Sequence, residues 1–154
     1  FCEDVPTVLF DANVEGVGEA FVGSDNFQSI PLMVEYLCRT GEPPCFFEMA
    51  PVNPNANKRR RAYTEAMMGL GHQPHIVHVD GGGWAFEEIG HAEGIRAIEG
   101  RRFTCPSLTT VAQDYEAISD HSVEALFAVI EAGEEDRQRT ETLFPGTLVM
   151  RTSA

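Results

Sequence analysis

The chain has 154 residues, 43% hydrophobic and 23% charged, which is ordinary globular usage for about one domain of 100–200 residues. A chain of this size can bury a real core, which excludes a disordered tail and a disulfide-stapled miniprotein. Eleven Lys and Arg against 24 Asp and Glu leave a net charge of −13, a field that repels phosphate backbones.

Strand and helix signals alternate along the chain. Val5 to Phe10 is an apolar run ending at Asp11, and Ala20-Phe21-Val22 is a second, closed by the turn and cap cluster Gly23-Ser24-Asp25-Asn26. Ile30, Met33, Val34, Leu37 and Cys38 then fall on one face of a helix. Pro31 leaves two starts open: near Ser29 with Pro31 in the first turn, or at Asp25 with a bend. Gly41 stops this helix, and Pro44 to Met49 reads as a third strand. A loop over Pro51–Asn57 leads to a helix whose face is Tyr63, Ala66, Met67 and Leu70, ended by Gly71. Ile76 to Asp80 is a strand, and Gly81-Gly82-Gly83 leads into Trp84 and a helix through about Ile98. Residues 101–108 show no clear pattern, and Thr109 to Gln113 reads as a short extended stretch. The next helix carries Val123, Leu126, Phe127 and Ile130, followed by an acidic turn at Glu134-Glu135-Asp136 and a last strand over Leu143–Arg151. This order predicts an α/β fold with mostly parallel strands.

Cys2, Cys38, Cys45 and Cys105 include no Cys-x-x-Cys pair and read as free thiols in a reducing compartment. Cys38 and Cys45 fall on apolar patterns where buried thiols are common. No apolar run reaches the roughly 18–20 residues needed to span a bilayer, and no signal peptide is visible ahead of Phe1. The chain opens on Phe1 and not Met, so the sequence reads as part of a larger protein. His72, His75 and His78 have spacings a metal site could use, but His75 and His78 point to opposite faces of a strand, so no metal is expected. Gly81–Gly83 has no Lys or Ser/Thr after it, and Gly16-x-Gly18 lacks a third glycine, so neither phosphate-loop pattern is present. No Gly-x-Ser-x-Gly elbow occurs, and Glu87-Glu88 point apart on a helix. No catalytic constellation or cofactor motif emerges, and an enzyme is not expected.

Lys58-Arg59-Arg60-Arg61 stands out, because cations at a helix start oppose the helix dipole. The run is either a solvated turn or the source of one inward guanidinium that holds a polar ligand. Asp11, just past a strand's carboxyl end, is either a turn residue or a ligand contact, and Trp84 either core filler or a cleft wall.

Several stretches resemble the effector-binding domain of the LacI/GalR family of bacterial transcription repressors. They are VPTVLFDAN (5–13), VGSDNFQSIPLMVEYL (22–37), KRRRAYTEAMMGLG (58–71), GWAFEEIGHAEG (83–94), PSLTTVAQDYEAISDHSVEAL (106–126) and TLVMRTS (147–153). The resemblance implies a two-lobed periplasmic-binding-protein-like α/β fold, partial relative to the family. Segments ahead of Phe1, and a stretch between about Gly100 and Arg102, have no counterpart here. It implies ligand contacts at Asp11, Arg59, Trp84 and Gln113, lobe one over 1–49 and 112–143, and lobe two over 50–111 and 144–154. Crossovers between the lobes are implied at Glu48–Pro51 and around Gln113. A small, sugar-like effector, a cytoplasmic homodimer and operator DNA reached through a helix-turn-helix outside this chain are the implied partners. The homodimer is expected through the apolar helix face Ile30–Cys38. A solute-binding protein of a small-molecule importer shares the two-lobed plan and is the alternative. A chain at −13 with one short cationic run should give no salt-sensitive gel shift with operator-length DNA, and a shift that weakens with salt is the contrary result.

Overall fold

The computed structural model describes residues 5–12, 14, 16–49, 54–79, 109–133 and 139–151. The glycine run at 81–83, the helix expected from Trp84, the stretch 101–108, the acidic turn 134–136 and the family segment absent near Gly100 lie outside the described residues.

β1 (Val8–Phe10), β2 (Ala20–Ser24) and β6 (Thr140–Phe144) form a parallel sheet with β2 in the middle. Val8 lies beside Ala20, and Ala20 beside Thr140. As the central strand, β2 is buried along its whole length, which is why its sequence is an uninterrupted run and not an alternation. Helix α3 (Tyr115–Ala132), capped by the Asp114 carboxylate on the Ala117 N–H, packs on β1 and β2. Ile118 is fully buried there, and the His121 ring meets Phe144 of β6 edge-on at 5.7 Å. Of the four residues that define the helix in the sequence, Val123, Phe127 and Ile130 are 54, 60 and 51% exposed and Leu126 is half-buried.

A second parallel pair, β3 (Phe46–Met49) and β4 (Ile76–Val79), carries α1 (Asn26–Thr40) and α2 (Pro54–Gly69). Of the two possible starts, α1 takes the earlier. Asp25 is the N-cap, accepting from the Phe27 and Gln28 N–H groups, and Pro31 sits inside the helix. Helix α2 begins at Pro54, inside the expected 51–57 loop, because proline suits the first helical position, where its missing N–H costs nothing. Its end is a Schellman turn. Gly71 has φ 79°, the His72 N–H donates to the Met67 carbonyl at 2.9 Å, and the Gly71 N–H donates to the Met68 carbonyl at 3.0 Å.

The core is Val34, Tyr63 and Met67, with Ile30, Cys38, Phe46, Ala66 and Ile76 packed around them. Tyr63 ties it together. Its ring stacks on Phe46 at 5.2 Å, and its buried hydroxyl donates to the Pro44 carbonyl at 2.8 Å and accepts from the His75 N–H at 3.0 Å. The Ile30–Val34–Cys38 face is therefore internal. It packs against α2 and cannot be the homodimer surface expected from its periodicity. Likewise α1 packs on α2, and β3 pairs with β4, although the expected division at residue 49 puts the first of each couple in lobe one. Cys38 and Cys45 are free; Cys38 borders the core, whereas Cys45 is exposed just ahead of β3.

The last expected strand is two strands. β6 runs parallel to β2, whereas β7 (Thr147–Val149) pairs antiparallel with β5 (Thr110–Ala112). Pro145 has no ladder donor, and the Gly146 N–H is drawn to Gln28 Oε1 at 2.9 Å and Ser29 Oγ at 3.1 Å. A Cβ at Gly146 would collide with Val111 Cγ1 and lie 2.6 Å from Ser29 Oγ. Gly146→Ala should therefore lower stability by about 1–3 kcal/mol, the usual cost of overpacking, measured by urea denaturation; a change below about 0.5 kcal/mol would show that the junction relaxes freely.

Candidate ligand site

A cavity of about 380 Å³ lies among Asn26, Ser29, Ile30, Met33, Arg59, Val111, Gln113 and Tyr115. Helices α1 and α2 and the strand β5 with the residues that follow it thus form its described walls. Ile30, Met33, Val111 and Tyr115 supply apolar surface, and Asn26, Arg59 and Gln113 supply polar groups. That is the usual make-up of a small-molecule site.

Successive helical residues turn by about 100°, so the four cations that start α2 point in different directions. Lys58 Nζ lies 3.8 Å from Glu141 Oε1 and over the Phe21 ring. Arg60 Nε meets Glu48 Oε1 at 3.2 Å, and Arg61 Nε meets Glu65 Oε1 at 2.7 Å. Arg59 alone takes a neutral partner, with its Nε donating to Asn26 Oδ1 at 2.9 Å. Its side chain lines the cavity, while Arg60 and Arg61 are exposed.

Asn26 is held in turn. It is 5% exposed, and its Nδ2 donates to the Ser24 carbonyl at 3.4 Å and to Asn55 Oδ1 at 3.3 Å. Asn55, also 5% exposed, donates to the Asp11 carbonyl. Asp11 has φ 52°, a left-handed conformation that aspartate tolerates in turns. Its N–H donates to the Val22 carbonyl at 2.9 Å, and its Oδ1 accepts from Ser24 Oγ at 3.1 Å and the Ser24 N–H at 3.3 Å. A continuous polar chain therefore runs from Arg59 through Asn26 and Asn55 to the end of β1.

Of the four residues expected to contact a ligand, Arg59 and Gln113 line this cavity together. Asp11 does not line it; its carboxylate is turned onto Ser24, and its backbone joins the site through Asn55. Trp84 lies outside the described residues. Asn26, Asn55 and Tyr115 were missed by sequence reasoning. One signal pointed to Asn55, which lies four residues before Arg59, as Arg59 lies four before Tyr63. Among the described residues no group of three His, Cys, Asp or Glu side chains could hold a metal ion, and no helix is long and apolar enough to cross a membrane.

No protein-family model matches the chain, and no sequence relative among curated proteins does either. Solved structures do match. A periplasmic binding protein/LacI transcriptional regulator from Alkaliphilus metalliredigens, complexed with D-xylulofuranose, superposes with a TM-score of 0.73 at 15% identity, covering 96% of this chain and 70% of that one. A LacI family transcriptional regulator from Enterococcus faecium with bound ribose gives 0.72 at 17% identity, over 97% and 70%. A periplasmic binding ribose operon repressor protein from Lactobacillus acidophilus gives 0.74 at 13% identity, over 99% and 71%. The chain has the periplasmic-binding-protein-like fold of LacI-family regulators. It is shorter than the two-lobed proteins it matches, which are transcription regulators and binding proteins.

The polar chain at the cavity is a structural feature as well as a cavity-facing one. Asn26→Ala removes three hydrogen bonds at once, two of them buried, so it should cost about 1–3 kcal/mol in a thermal or urea melt. Asn57→Ala, at an exposed position of the same helix start, should cost less than about 0.5 kcal/mol. Equal effects would mean that the network carries no weight.

Proposed function

We propose that this chain is the effector-sensing part of a LacI-type transcription repressor. It binds a small, sugar-like polar metabolite in the Arg59 cavity and so controls operator binding by a helix-turn-helix outside this chain. The observation that carries the reading is the inward Arg59, held by buried Asn26 beside an apolar wall, on a fold whose relatives include sugar-complexed regulators. Trp84 is retained as a ligand-facing position in this reading, whereas Asp11 supports the site only from behind, through its backbone contact with Asn55. A cytoplasmic regulator that performs no turnover fits the same relatives.

Packing favours a different grouping from the division at residue 49. We group β1, β2, β6 and α3 as lobe one, and α1, α2, β3 and β4 as lobe two. β5 and β7 form the connection between them. Ser29 and Val111 line the cavity and also flank Gly146, where the chain changes sheets. A ligand seated there contacts the connection itself, which is how a preference of about 1–3 kcal/mol for one lobe arrangement would arise. The homodimer is part of this proposal. With the α1 face internal, the exposed stripe Val123–Phe127–Ile130 of α3 is the surface that association would cover.

Loss of a charged donor that faces a desolvated ligand costs on the order of 2–5 kcal/mol, whereas a rim charge costs little. Arg59→Ala should weaken binding of the effector, found by a thermal-shift screen of sugars and their derivatives, at least about tenfold, and Arg61→Ala much less. Calorimetry on both variants decides it; equal, small losses would leave the cationic run a solvated helix start.

A further inference from the structure

The charge pattern around the cavity says more about its occupant than the fold does. Three of the four cations that open α2 are matched to carboxylates: Lys58 to Glu141, Arg60 to Glu48 and Arg61 to Glu65. In a chain with 24 acidic residues, such matching is the expected state. Arg59 departs from it. Its Nε is satisfied by a neutral amide oxygen, and its two Nη nitrogens make no hydrogen bond to any described residue. Arg59 is half-buried at the cavity, and a guanidinium drawn out of water without a counter-charge is costly. The Asn26 contact fixes the plane of the fork without cancelling its charge.

The described walls of the cavity contain no carboxylate. The nearest candidate from the sequence, Asp11, is committed to Ser24. Among the described side-chain acceptors, Asn26 Oδ1 is taken by Arg59 and Ser29 Oγ serves the Gly146 N–H, which leaves the Gln113 amide oxygen and the Tyr115 hydroxyl. A neutral sugar presents hydroxyls that must donate as well as accept, and these walls offer few acceptors. A carboxylate or phosphate only accepts, and its paired oxygens match the two free Nη donors.

We infer that the cavity selects an anionic ligand, a sugar-sized polyol bearing a carboxylate or phosphate group, with that group on the Arg59 Nη nitrogens. This rests on the sugar-sensing reading above and sharpens it. The test is isothermal titration of the 154-residue chain with D-ribose, D-ribonate, D-ribose 5-phosphate and inorganic phosphate, at about 20 mM and about 300 mM NaCl. At low salt at least one charged pentose should bind about tenfold or more tighter than D-ribose. High salt should shrink that preference. In Arg59→Gln, checked for folding by circular dichroism, the ratio of charged to neutral pentose should fall to within about twofold. If that variant does not fold, the salt series on the wild-type chain decides alone. D-ribonate and D-ribose 5-phosphate distinguish a sugar acid from a sugar phosphate. D-ribose binding as tightly as both would overturn the anionic inference and leave the sugar-sensing reading standing. Salt-sensitive binding of phosphate with no gain from any pentose would keep the anion and remove the sugar. No binding by any of the four would overturn the inference.

Discussion

One row of side chains on α2 sets both the core and the cavity. Asn55, Arg59, Tyr63 and Met67 recur every four residues, with Ala62 beside them, and so lie along one side of the helix. The lower half of the row is apolar and fixes α2 against α1 and β3. The upper half is polar and meets Asn26 and Asp11. The direction in which Arg59 points is therefore dictated by the packing of Tyr63 and Met67 below it. A rotation of α2 that carried Arg59 outward would pull the Tyr63 hydroxyl from Pro44 and His75, leaving buried polar groups unpaired. The site takes its rigidity from the core.

That row also explains how much of the site could be read from the sequence. Arg59 was distinguishable from Arg60 and Arg61 because Tyr63, Ala66 and Met67 mark the packed face, and Arg59 lies four residues before Tyr63. Asn26 and Asn55 were not, since a buried polar residue leaves no hydrophobic period and looks like a loop residue. The Asn-rich composition of 51–57 hid the first turn of α2 for the same reason. Periodicity located α1 correctly but could not name its partner. An apolar stripe looks the same whether it faces another helix of the chain or a second copy. On α3 the opposite happened: the strongest apolar stripe, Val123–Phe127–Ile130, is exposed, and the helix is anchored by Ile118 and by His121 at Thr142.

The electrostatics follow from the same geometry. Cations at the start of a helix oppose its dipole, at a cost of a few tenths to about 1 kcal/mol each. In an acidic chain most of that cost is removed by nearby carboxylates, one from β6, one from β3 and one from α2 itself. These pairs are partly exposed and each contributes little to stability. Their larger consequence is selective neutralisation: three charges are cancelled at the surface, and the one that remains uncancelled among the described residues faces the cavity.

The change of sheets at Pro145–Gly146 is the counterpart of this fixed site. β6 belongs to the sheet of β1 and β2, β7 belongs with β5, and the junction has no side chain to hold it apart from its neighbours. Gly146 is pinned by Gln28 and Ser29 of α1, the helix whose next turns wall the cavity with Ile30 and Met33. Val111 touches both the junction and the cavity. A ligand group in the cavity, as proposed, would therefore press on atoms one contact away from the point where the chain passes between sheets. Packed interiors transmit such pressure instead of absorbing it, so in the proposed reading the junction is where occupancy of the Arg59 site would act on how the two sheets are held.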